Sequence, residues 1–146
     1  AFREAVKKRR CLVPNHGFFE WRKDGKVKTP FWIKPTDTEI AFFAGIWDRW
    51  RGGDTEVQSF AVVTTAVHEK LAFVHTRQPA LLSREEARRW LDPEASVEQR
   101  DGLLASHLPL DLEALPVSSY VNSTRNQGPD CVVPIGTGIV LTGTAA

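Results

Sequence analysis

Two runs near the start of the chain mix bulky apolar and polar positions, Gly17-Phe-Phe-Glu-Trp-Arg22 and Thr29-Pro-Phe-Trp-Ile-Lys34, with the polar Lys23-Asp-Gly-Lys26 between them. Aromatic, strand-like runs flanking an Asp-Gly pair predict a β-hairpin. Ile40 to Trp47 and Val57 to Thr65 repeat the arrangement around Arg51-Gly-Gly-Asp54. Cys11 to Pro14 and Ala80 to Leu82 read as shorter extended pieces. Helical patterning is confined to three places. Phe2 and Val6 lie four apart in Phe2 to Arg10, whose cations gather in the last turn. Ser83 followed by Glu86 is a capping box, and Ala87, Trp90 and Leu91 set a short amphipathic helix that stops at Asp92-Pro93. Ser96 to Ser106, with Val97, Leu103 and Leu104, predicts a second short helix in this region. Beyond it Pro109, Pro116, Asn126-Gln-Gly-Pro129 and Pro134 cut the chain into short pieces, and residues 136–146 are expected to be loosely held. The fold class that results is α+β: an antiparallel, barrel-like β sheet with a few short helices packed on it.

Composition adds boundaries. A length of 146 residues is most simply one domain. No apolar run approaches the ~18 residues of a membrane helix, so a soluble chain without a membrane partner is expected. Cys11 and Cys131 stand far apart with no metal-ligand spacing, which calls for neither zinc nor a disulfide, and no cofactor is indicated. The net charge of +1 hides an imbalance: residues 1–50 carry 11 Lys/Arg against 6 Asp/Glu. Interleaved cations and aromatics suit single-stranded nucleic acid, since bases stack on rings while phosphates need cations. A run such as Lys7-Lys-Arg-Arg10 is equally a solvated helix end.

Two polar residues sit awkwardly in this pattern. Glu20 lies between Phe19 and Trp21, and His75 follows the apolar run Leu71 to Val74. Taken singly, the glutamate reads as the outward member of an alternating strand and the histidine as a satisfied structural residue. Taken together they suit a site that moves protons near neutral pH, because aromatic walls raise a carboxyl toward the working range. His68 and His107 have no motif around them and are read as surface residues, and Cys11 and Cys131 as packing residues.

Several short motifs carry a resemblance. Arg10-Cys-Leu-Val-Pro14, Gly17-Phe-Phe-Glu-Trp21, Phe43-Ala-Gly-Ile-Trp47, Val63-Thr-Thr-Ala66, His75-Thr-Arg-Gln-Pro79, Trp90-Leu-Asp-Pro93, and Pro116-Val-Ser118 followed by Val121-Asn122 and Arg125-Asn126 are in play. In order and spacing they resemble the SRAP (SOS response-associated peptidase) family, from residue 10 to about residue 134. The resemblance implies a DNA-damage response protein that recognises abasic sites in single-stranded DNA, at the nucleoid in the cytoplasm. It implies that a cysteine exposed by self-removal of the initiator methionine condenses with the ring-opened sugar into a stable crosslink, a thiol autopeptidase and lyase-like activity. By motif, Glu20 and His75 are implied as catalytic residues, and Thr64 and Arg77 as DNA-binding ones. Arg77 offers the planar donor fork that phosphate accepts.

The chain departs from the family pattern at Thr76, Gln78 and His16, where the family usually has Asp, Met and Asp. It starts inside what resembles a mid-fold helix and contains no methionine, so an N-terminally incomplete SRAP-like domain over 1–146 is expected, with the nucleophilic cysteine outside it. Three functions stay open: part of a crosslinker, a non-covalent single-stranded DNA-binding module, or a scaffold without chemistry. If the fold needs strands from the missing part, unpaired sheet edges favour self-association. The chain is expected to be poorly soluble or oligomeric on its own, and a clean monomeric elution at high concentration would sink that expectation.

Overall fold

The computed structural model describes residues 2–144. Helix α1 (Arg3–Lys8) leads into β1 (Arg10–Asn15), β2 (Phe18–Asp24), β3 (Val27–Pro35), β4 (Ala41–Gly52), β5 (Thr55–Val62) and β6 (Thr64–Ala66). A 3-10 turn (Glu69–Leu71) precedes β7 (Arg77–Pro79), β8 (Leu81–Leu82), α2 (Arg84–Leu91) and α3 (Val97–Leu103). Strand β9 (Leu112–Pro116), two further 3-10 turns (Ser119–Asn122 and Pro129–Val132) and β10 (Ile139–Leu141) complete the order. No helix among the described residues is long and apolar enough to cross a membrane.

Both predicted hairpins form. Asp24 pairs with Val27, and Gly52 with Thr55, so each turn closes over two residues. Strand β4 is the hub of one sheet, flanked by β1 on one side and by β5 and β8 on the other. A second sheet runs β10-β9-β3-β2, and β6 pairs with β7 alone. All the pairings are antiparallel. The barrel-like arrangement expected from the sequence therefore resolves into open sheets, with β1 and β5 at the ends of one order and β2 and β10 at the ends of the other among the described residues.

Alternation along β4 divides the interior. Ala41 and Phe43 enter one core with Phe31, Ile33 and Leu112, while Ala44 and Ile46 enter another with Leu82, Ala87 and Trp90. Successive strand residues point to opposite faces, so one strand serves both. Gly45 is required at the β1 crossing, where a Cβ would stand 2.8 Å from Cys11 Sγ. On the opposite side the fully buried Trp90 donates its indole N–H to the carbonyls of Cys11 (3.0 Å) and Gly45 (3.2 Å), tying α2 across both strands. Loss of a buried Trp of this kind costs about 3–5 kcal/mol.

The capping box at Ser83 and Glu86 is present, as is a second at Ser96 and Gln99 that starts α3. Arg10 is a structural cation. Its guanidinium donates to the carbonyls of Val6, Lys7, Trp90 and Asp92, satisfying the orphan ends of α1 and α2 together. The basic run that suggested nucleic acid thus spends one member on capping.

Two expectations are corrected. The segment 136–146 is not wholly loose: Ile139–Leu141 pairs with β9, and Leu141 is buried in the first core, because its apolar side chain covers Leu112 at the end of that sheet. Residues 145–146 lie outside the described residues. His107 is not an idle surface residue. Its Nε2 donates to Glu86 Oε1 at 2.8 Å and its Nδ1 to the Ala105 carbonyl at 2.7 Å, which requires the imidazolium.

Burial alone would raise the Glu86 carboxyl, but hydrogen bonds from His107 and from the Ser83 N–H outweigh it and hold the group below its ordinary 4.5. The bond to Glu86 raises His107 above its ordinary 6.5. A lowered carboxyl stabilises above 4.5 and loses its contribution as pH falls through the folded value, and a raised imidazole stabilises below 6.5 and loses its contribution as pH rises through its own. The pair therefore contributes most between these two values. His107→Ala leaves Glu86 buried with only its Ser83 bond and should cost roughly 1–3 kcal/mol, a loss largest near pH 5.5 and smaller at pH 9 when urea unfolding is followed at both.

Candidate functional site

The β2–β3 register decides where Glu20 points. Glu20 pairs with Phe31, which is buried in the first core, so the two side chains share the inward face of their sheet. The reading of Glu20 as an outward strand residue is thereby overturned. The register is pinned at its start by Gly17, held at φ +140°, where a Cβ would stand 2.5 Å from the Trp32 indole nitrogen and 2.6 Å from the Ile33 carbonyl.

Glu20 and His75 line one cleft of about 410 Å³ together with Trp21, Lys23, Lys28 and Asn122. His75 follows the turn after Glu69–Leu71 and precedes β7. Its Nδ1 accepts the Arg77 backbone N–H at 3.0 Å, which places the neutral ring's proton on Nε2. Burial pushes the Glu20 carboxyl above its ordinary 4.5, while the His75 charge and a hydrogen bond from the Trp21 backbone pull the other way without cancelling it. The cleft thus holds a carboxyl that keeps its proton to higher pH beside an imidazole N–H donor.

Thr64 and Arg77 form a separate pair. Arg77 Nη2 donates to the Thr64 carbonyl at 2.7 Å and to Thr64 Oγ1 at 3.0 Å, fixing the guanidinium along the β6–β7 ladder. Neither lines the Glu20 cleft, but Arg77 is linked to it through its backbone bond to His75. Arg77 is exposed.

Two of the family departures find structural roles. Gln78 is buried and bonded at both ends, accepting from the His68 N–H at 2.7 Å and donating to the His107 carbonyl at 3.0 Å. It ties β7 to the loop after α3 and faces away from the cleft. His16 Nδ1 donates to the Glu39 carbonyl at 2.8 Å.

Sequence reasoning missed the role of Asn122, whose Oδ1 accepts the Trp21 indole N–H at 2.7 Å across 101 positions. The pairing of Lys23 with Lys28 was also missed: an Asp24-Gly25 turn would pair Lys23 with Lys26, whereas the chain turns over Gly25-Lys26 and places Asp24 opposite Val27. Neither cysteine lines the cleft. Cys131 is buried, and half-buried Cys11 lines an apolar groove with Val13, Trp47 and Phe60. Burial raises the Cys11 thiol above its ordinary 9.0, the opposite of an activated nucleophile.

The chain matches known proteins over most of its length. A family model described as SOS response associated peptidase (SRAP) matches residues 1–124. The chain is 36% identical over 129 residues to the abasic site processing protein YedK of Escherichia coli, covering 86% of this chain and 58% of that protein. It is 33% identical over 156 residues to the abasic site processing protein HMCES of Gallus gallus, covering 92% and 46%. A crystal structure of a protein from Bacteroides thetaiotaomicron superposes with a TM-score of 0.81 at 33% identity, covering 90% of this chain and 59% of that one. The chain spans about half to three-fifths of the length of these relatives. The ordered motifs, the open antiparallel sheets and this agreement have one conclusion: the chain belongs to the SOS response associated peptidase (SRAP) family.

Proposed function

We propose that this chain is the DNA-holding and proton-transferring part of an abasic-site processing protein acting on single-stranded DNA, and so works at the nucleoid. The observation that carries the reading is the meeting of Glu20, raised by burial, with the Nε2–H tautomer of His75 in one cleft. Opening a deoxyribose hemiacetal takes a proton from the hydroxyl on C1′ and delivers one to the ring oxygen. A carboxyl poised above its usual range and an imidazole donor supply such a relay. Relatives named abasic site processing proteins support the same substrate. Arg77, anchored by Thr64, offers its remaining donors to a phosphate at the margin of the cleft.

Capture of the opened aldehyde needs a thiolate. Cys131 is buried and Cys11 has a raised thiol in a different groove, which argues against either as the thiol of the family reaction. The same observation favours a second reading, non-covalent holding alone.

The chain is mixed with a single-stranded oligonucleotide bearing one abasic site and followed by native binding and by intact mass after denaturation. Native binding that falls steeply with salt is expected, and Arg77→Ala should weaken it by roughly tenfold. No denaturation-stable adduct should form on this chain alone; one would assign the nucleophile to Cys11. Absence of salt-sensitive binding would overturn both readings.

Glu20 supplies a second check. Because its folded value lies above the unfolded one, stability falls as pH rises through that interval, and the carboxylate at neutral pH is a cost. Glu20→Gln should raise Tm at pH 7, with the gain vanishing below 4.5. A carbon-detected NMR titration placing Glu20 at or below that ordinary value would refute the proton-carrier role.

A further inference from the structure

We propose that Lys23 and Lys28 form a subsite for one backbone phosphate of the DNA strand that lies in the Glu20–His75 cleft. This rests on the reading of the cleft as a single-stranded DNA site. The two lysines are direct cross-strand partners on β2 and β3, so their side chains leave the same face of the hairpin side by side. Like charges placed directly opposite one another destabilise a sheet. Nothing nearby relieves them: neither lysine joins an ion pair among the described residues, and the adjacent Asp24 is engaged by Arg22 at 2.8 Å. Between Arg22 and Lys28 the hairpin carries four cations and one carboxylate.

Position makes this charge useful. Both lysines line the cleft that holds Glu20 and His75, reaching it from the hairpin face opposite Glu20, three residues on along β2. Trp21 stands two residues before Lys23 on the same strand face and is fixed there by Asn122. Strand β2 is the edge of its sheet among the described residues, so an extended polyanion can run along it without displacing protein. A phosphodiester carries one negative charge on two free oxygens, a match for two neighbouring ammonium groups that act as point charges. Arg77 meets the strand from the β6–β7 side of the cleft and the lysine pair from the hairpin side, so the abasic sugar is held between two phosphate contacts.

A competing account makes these lysines a guard against edge-to-edge aggregation. The two accounts differ in their effect on DNA. The affinity of the full 146-residue chain for an oligonucleotide carrying one tetrahydrofuran abasic analogue, which binds but cannot ring-open, is measured across a salt series. Wild type, Lys23→Gln/Lys28→Gln and Lys23→Arg/Lys28→Arg are compared. Because the pair serves one phosphate, its loss should lower the slope of log K against log salt by about 0.7, the value per neutralised phosphate on a single strand. The arginine variant should restore it. Replacing single phosphates by neutral methylphosphonates should locate one position that weakens wild type and leaves the glutamine variant unchanged. An unchanged slope in the glutamine variant, with binding still sensitive to Arg77→Ala, overturns the subsite alone. Wild type that does not bind at all overturns the reading of the cleft, and the subsite with it.

Discussion

The alternation of side chains along β4 is the constraint on which the other elements depend. Its odd positions Ala41 and Phe43 build the core between the two large sheets, and its even positions Ala44 and Ile46 build the core beneath the helices. A strand offers two faces and no third choice, so a shift of one residue would exchange the contents of both cores. Pairing with β1, β5 and β8 at once fixes that register from two sides. Trp90 adds a lock from below by bonding carbonyls of β1 and β4 together.

The cleft hangs from this frame through fewer contacts. Strand β2 touches its sheet only through β3, and the placement of Glu20 follows from being opposite Phe31. Gly17 lets the chain enter β2 against Trp32 and Ile33, and the Gly25-Lys26 turn closes the other end. Between these two pins an acidic side chain is brought to the inward face of the sheet, opposite the buried Phe31. Burial raises its pKa, and the neighbouring His75 limits that rise. A stability cost and a chemical capability therefore come from one placement.

Charge is divided by the fold in a way its linear distribution does not show. Arg10 belongs to the most basic run, yet its donors end on helix carbonyls. Arg77 splits its donors between Thr64 and the surface. Lys23 and Lys28 have no protein partner among the described residues and stand at the cleft. A cation already satisfied by protein acceptors contributes little to a polyanion, whereas an unpaired one exchanges counterions for phosphate. The electrostatic footprint is thus narrower than the surplus over residues 1–50 suggests.

Local chemistry in the sequence determined the hairpins around Asp24-Gly25 and Gly52-Gly53, the capping box at Ser83, the short helix that starts after Ser96, the stop at Asp92-Pro93 and the α+β class. Each depends on neighbours within a few residues, which is why each was legible. The family motifs likewise pointed to Glu20 and His75, which meet in one cleft, and to Thr64 and Arg77, which bond each other beside it. Only the tertiary structure decided which face Glu20 takes, that β10 forms from an otherwise unremarkable tail, that His107 is the partner of Glu86, and that Asn122 holds Trp21. These contacts join residues 11 to 101 positions apart, whose register depends on the packing of whole sheets, and no local propensity encodes a distance of that kind.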